Sequence, residues 1–73
     1  MQRQPVESSS LTSVGYEEWT RILEVEFRNG GVYHHLGVPA SVHRALMTAE
    51  SRGAFLNTQI KPHFPCVRLE SAP

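Results

Sequence analysis

Residues 21–36 limit what this chain can fold into more than any other stretch. Leu23, Val25 and Phe27 alternate with Glu24 and Glu26, the period-two pattern of an antiparallel strand with one dry and one wet face. Asn29-Gly30 follows, a pair that tolerates positive φ and predicts a two-residue type I′ turn. The chain then returns as a hairpin partner over residues 31–36. There Tyr33 and His35 share one face, and Val32, His34 and Leu36 share the other. Tyr33 is expected to face the core with its hydroxyl at the rim.

The flanking segments extend this hairpin into a small α+β module. An earlier strand is predicted over residues 9–16, with Gly15 marking a bulge or a close backbone approach. Glu17-Glu18-Trp19-Thr20 is a short connection. Pro39 fixes φ and lacks an N–H, so a helix is expected to begin there. Val42, Ala45, Leu46 and Ala49, widened by Met47, form the helix's apolar stripe, and Gly53 reads as its left-handed terminator. Ser51 is placed to cap a second helix over residues 54–60, with Phe55 and Ile60 turned to the core and Lys61-Pro62 ending it. Residues 63–69 are β-favouring and suit an edge strand, where Pro65 is tolerated. The predicted architecture is a three-stranded antiparallel meander, an amphipathic helix on one face, a short second helix and a C-terminal edge strand. Residues 6–69 form one domain, with 1–5 and 70–73 as flexible tails.

With 73 residues, a single core contributes only about 3 to 5 kcal/mol of net stability. The lone Cys66 excludes an internal disulfide and points to a reducing, cytoplasmic setting. No signal peptide, membrane span or membrane partner is expected. Seven basic and seven acidic residues cancel, yet they are unevenly spread. Residues 1–41 carry three basic and five acidic side chains, whereas residues 42–69 carry Arg44, Arg52, Lys61 and Arg68 against Glu50 alone. Protonation of His34, His35, His43 and His63 turns the net charge positive below about pH 6.5.

One joint pattern runs through these elements: Ser8-Ser9, Val14-Gly15-Tyr16, Leu23-Glu24-Val25-Glu26-Phe27, Gly31-Val32-Tyr33, Val38-Pro39, Ala49-Glu50-Ser51-Arg52-Gly53, Phe55-Leu56-Asn57 and Ile60. It resembles the KTSC domain over roughly residues 6 to 69. That family is named from its place at the C-terminus of some lysyl-tRNA synthetases, and the resemblance implies a role associated with RNA or another nucleic acid. His35 and Phe64 stand where members often carry tyrosine. The resemblance brings no catalytic residues with it.

Several constellations invite chemistry, and each has a plainer reading. His34, His35, His63 and Cys66 are zinc-ligating types. Adjacent strand residues point to opposite faces, however, and one His-x-x-Cys is half a site, so no metal or cofactor is expected. His34 is read as solvated and His35 as packed. Cys66 with His63 as base lacks an orienting group, and Glu24 and Glu26 read as a wet strand face balanced by Arg21 and Arg28. Ser8, Ser9, Ser51 and Asn57 are candidates for a polar pocket near the helix junction, against a plainer role in caps and turns. Arg44, Arg52, Lys61 and Arg68 are candidate phosphate contacts, with Phe64, Trp19 or Tyr16 as the ring on which a base stacks. The chain is thus expected to be noncatalytic and RNA-associated. The alternative is a protein partner or a second copy, met through an exposed edge strand with Trp19 as anchor.

Overall fold

The computed structural model describes residues 1–69. Five antiparallel strands, β1 (Arg3–Pro5), β2 (Leu11–Glu17), β3 (Ile22–Phe27), β4 (Val32–His35) and β5 (Cys66–Leu69), form one sheet in chain order. Between β4 and β5 run α1 (Ala40–Thr48), α2 (Arg52–Phe55) and a π-helical turn over Leu56–Ile60 that continues α2. The α+β class is the one expected, with five strands in place of a three-stranded meander and its edge strand. The expected C-terminal edge strand is present as β5. The additional strand is β1, where a frayed tail was expected over residues 1–5. The expected tail over residues 70–73 lies outside the described residues.

Gly15 explains β1. A Cβ there would stand 2.8 Å from the Gln2 carbonyl oxygen and 3.0 Å from Arg3 Cγ, so the bare backbone lets the first residues lie flat against β2, with Arg3 opposite Gly15. The close-approach reading of Gly15 is therefore the right one. The bulge falls elsewhere, between Leu11 and Ser13, where the β2–β3 register shifts. One extra residue at Thr12 allows Leu11 and Val14, three apart, to reach the same face.

The β3–β4 turn is also not the expected type I′. Gly30 is left-handed at φ 94°, whereas Asn29 is not. The Gly30 N–H donates to Phe27 O at 2.9 Å, and the Phe27 N–H donates to Gly31 O at 2.8 Å. This is a three-residue turn with a glycine bulge, and Asn29 Oδ1 accepts from the Gly31 N–H at 2.9 Å.

Directly opposed strand residues share a face, so the register sorts the side chains. Val14 pairs with Val25 and Tyr16 with Leu23; Leu23 pairs with His35 and Val25 with Tyr33. These residues face the helices. Leu11, Val14, Leu23, Val25 and Val38 pack with Leu46 of α1 and with Leu56 and Ile60 of the π-helical turn, all at most 2% exposed. α1 begins after Pro39 as expected, but its stripe is narrower. Ala45 is exposed, Val42 and Met47 are half-buried, and Leu46 alone is fully enclosed.

Ala49, extended at ψ 144°, ends α1. Gly53 is not the terminator. It is buried inside α2, because a Cβ there would meet Ser10 Oγ at 2.9 Å. Ser51 does cap α2, its Oγ accepting from the Ala54 N–H at 3.2 Å. Among the described residues no helix is long and apolar enough to cross a membrane.

Candidate functional site

Where β4 and β5 meet the π-helical turn, the inner face is left partly open. A cleft of about 230 Å³ is lined by Phe27 and Asn29 from the β3 end and its turn, Tyr33 and His35 from β4, Leu56, Asn57 and Lys61 from the π-helical segment, and Cys66 from β5. The π geometry, with the Lys61 N–H donating to Leu56 O at 2.8 Å, inserts one extra residue into the helical turn. Leu56 and Ile60 are buried on the core side, while Asn57 and Lys61 line the cleft.

His35 is the unusual member. It is 2% exposed, and both ring nitrogens are buried with no hydrogen-bond partner among the described residues. Burial pushes its pKa down, and the positive charges of Lys61 and His34 push the same way, so the ring is neutral, with one N–H donor and one acceptor. Opposite it in the register stands Cys66. Burial raises the Cys66 thiol, an effect that Lys61 partly offsets. A protonated thiol is a poor nucleophile, and the histidine facing it is His35 rather than His63. Tyr33, opposite Arg68 in the register, carries the Arg68 guanidinium 5.8 Å from its ring centre, and its ring stands nearly perpendicular to that of Phe27, with the ring centres 5.4 Å apart.

Of the four basic residues singled out from the sequence, Lys61 lines this cleft and Arg68 lies against Tyr33, one of its lining rings. Arg44 lies exposed on α1. Arg52 is occupied: its Nη2 donates to Met47 O at 2.8 Å and its Nη1 to Glu7 O at 3.2 Å. It thereby ties the C-terminal end of α1, whose last carbonyls lack helical partners, to the N-terminal segment.

The polar quartet is likewise divided. Asn57 lines the cleft, but Ser51 caps α2, and Ser8 Oγ accepts from the Ser10 and Leu11 N–H groups at 3.2 Å each. Ser9 is exposed and does not line the cleft. The ring expected to stack is also different. Tyr16 stacks on His43 at 4.6 Å and donates to Val38 O at 2.7 Å, Phe64 packs against the core, and Tyr33 is the ring at the cleft. Tyr33 and His35 were readable as a same-face pair; their meeting with Asn57 and Lys61 follows from the π-helical turn, which local sequence does not announce.

The outer face is built differently. Glu24 is 9% exposed, not part of a wet face balanced by Arg21 and Arg28. Arg3 Nη1 donates to its Oε2 at 2.9 Å, reaching across side-chain-free Gly15, and His34 Nε2 lies 2.7 Å from its Oε1. Burial pushes the Glu24 carboxyl up, but the bonds from His34 and Arg3 outweigh it and hold the pKa below its ordinary value. Ser13 Oγ donates to Glu26 at 2.9 Å. His34 is therefore paired rather than solvated. Among the described residues, no three His, Cys, Asp or Glu side chains are grouped so as to hold a metal ion.

The KTSC domain family model matches residues 7–64. A protein of Tsukamurella paurometabola is 42% identical over 66 residues, covering 90% of this chain and 98% of that one. An uncharacterized protein of Stutzerimonas stutzeri is 42% identical over 71 residues, covering 96% and 100%. The lysine–tRNA ligase of Nostoc punctiforme is 40% identical over 58 residues, which are 80% of this chain but 10% of the ligase. The crystal structure of a KTSC domain protein from Yersinia pestis superposes with a TM-score of 0.90 at 45% identity, covering 94% of this chain and 97% of that one.

Proposed function

This chain belongs to the KTSC domain family, and from that premise we propose that it is a noncatalytic accessory module that binds single-stranded RNA at the β4–β5 cleft. The observation that carries the reading is a cleft lined by Lys61 and the aromatic ring of Tyr33, with the Arg68 guanidinium 5.8 Å from the centre of that ring. Single-strand binders combine cations for the backbone with rings and apolar walls for bases. The similarity to a segment of lysine–tRNA ligases supports an RNA partner. Arg44 is a peripheral phosphate contact in this account, whereas Arg52 adds charge but has one donor of each Nη committed to a carbonyl and its Nε buried. The raised thiol of Cys66 and the scattered serines favour binding over catalysis.

Titration with single-stranded RNA at low salt tests this. Binding is expected with a dissociation constant at or below about 100 µM, the weak end of nonspecific binding. Replacing both Lys61 and Arg68 with Ala is expected to weaken it and to lower the slope of log K against log salt by about 1.4, roughly 0.7 per lost contact. No binding at 100 µM, or binding that the double variant leaves untouched, contradicts the reading.

A second reading rests on Trp19, which is 97% exposed at the β2–β3 turn. An indole this open suits an anchor for a protein partner or a second copy, although it sits on a turn rather than on an edge strand. Sedimentation across concentration separates the readings: association abolished by Trp19→Ala supports this one, and a persistent monomer with no partner opposes it.

A further inference from the structure

Three properties of the cleft restrict its ligand. At about 230 Å³ it is smaller than the roughly 300 to 1,000 Å³ of pockets for drug-sized molecules, so it suits one ring system rather than a peptide or a dinucleotide. Its apolar walls come from Phe27, Tyr33 and Leu56. Its buried polar group is a histidine whose two nitrogens find no partner among the described residues, and Asn57 adds an amide with both donor and acceptor atoms. A carboxylate or phosphate uses donors alone and leaves the acceptor nitrogen of His35 idle. A planar heterocycle bearing donors and acceptors on one edge uses both.

We propose, resting on the RNA-directed reading, that this cleft receives a single unpaired nucleobase. The His35 ring and the Asn57 amide meet its hydrogen-bonding edge, the apolar walls enclose its body, and Lys61 and Arg68 meet the adjoining phosphates. Neutrality of His35, enforced by burial and then by Lys61 and His34, keeps one nitrogen as an acceptor. His35 is therefore the reading residue and the two cations are sequence-blind.

Fluorescence anisotropy with the full chain at low salt tests this, using a single-stranded RNA hexamer, a ribose-phosphate hexamer of the same length without bases, and a nucleoside monophosphate as competitor. The base-bearing hexamer is expected to bind at least about tenfold more tightly than the baseless one, and the monophosphate is expected to displace it. His35→Phe, which keeps an aromatic side chain but no ring nitrogen, is expected to lose most of that tenfold preference while binding the baseless hexamer as before. Should that variant not fold, Asn57→Ala at an exposed position is expected to reduce the preference too. Equal binding of the two hexamers overturns the base pocket and leaves the RNA reading standing. If neither hexamer binds, the RNA reading falls. The pocket then stands as a free-nucleotide site only if the monophosphate shifts the His35 ring resonances, and unmoved resonances overturn it as well.

Discussion

Glu24 and His35 sit on adjacent strands, each at most 9% exposed, and the chain treats them in opposite ways. Glu24 is a buried charge on the outer face whose oxygens are met by Arg3 and His34. His35 is a buried neutral ring on the inner face, and none of the described residues meets its nitrogens. A paired buried group holds structure together, while an unpaired one beside a cleft costs stability that a ligand can restore. The comparison gives the outer face to architecture and supports the recognition role proposed for the inner cleft.

Removing the paired group is expected to have the largest effect. Glu24→Ala strands Arg3 and His34 and is expected to destabilise the fold by about 2 kcal/mol in urea unfolding, a figure reduced for the partial exposure of Arg3. The same carboxylate sets the acid limit. Its folded pKa is depressed, so its stabilisation is present above the unfolded pKa and is lost as pH falls through the folded one. The variant is expected to lose that portion of acid sensitivity. An unchanged acid midpoint would break the outer-face half of the comparison.

Gly15→Ala is expected to follow, at about 1 to 2 kcal/mol, because the new methyl meets backbone at 2.8 Å rather than a movable side chain. Hydrogen exchange is expected to show protection lost at β1 first. Protection retained there would mean that Arg3 reaches Glu24 without the glycine.

The smallest change has the opposite sign. His35→Phe removes two unpaired nitrogens and brings a larger ring for which the adjoining cleft has room, and it is expected to be neutral or to stabilise by up to about 1 kcal/mol. The folded pKa of His35 is depressed, so the unfolded chain takes up the proton first as pH falls below about 6.5. Wild-type stability is therefore full above that value and declines below it. The variant is expected to decline less steeply, the remaining slope including His43, which burial and Arg44 also depress. A loss of 2 kcal/mol or more would show that the imidazole serves the fold.

Much of this architecture was readable in the residues, and the gaps have physical causes. The strand over Leu23 to Phe27, the Pro39 start of α1 and the Ser51 cap depend on near neighbours, and all three stand as expected, although Glu24 is buried where a wet face was expected. β1 was not readable, since Arg3–Pro5 has no strand-like pattern and its pairing depends on an absent side chain twelve residues away. The burial of Gly53 was likewise settled by a contact across the chain, with Ser10, whereas Asn29-Gly30 suits both a two-residue turn and the observed three-residue turn with its glycine bulge. At the site, basic residues could be counted but not placed. The same residue type serves as a structural tie at Arg52 and lies against the Tyr33 ring at Arg68, and only the carbonyls of Met47 and Glu7 set the first apart.

The most direct measurement follows the imidazole nitrogens of His34 and His35 by ¹⁵N NMR as single-stranded RNA is added to saturation. The account predicts that the His35 nitrogens shift as they gain partners, while His34, already held by Glu24, stays in place. Bound RNA with an unmoved His35 would contradict it.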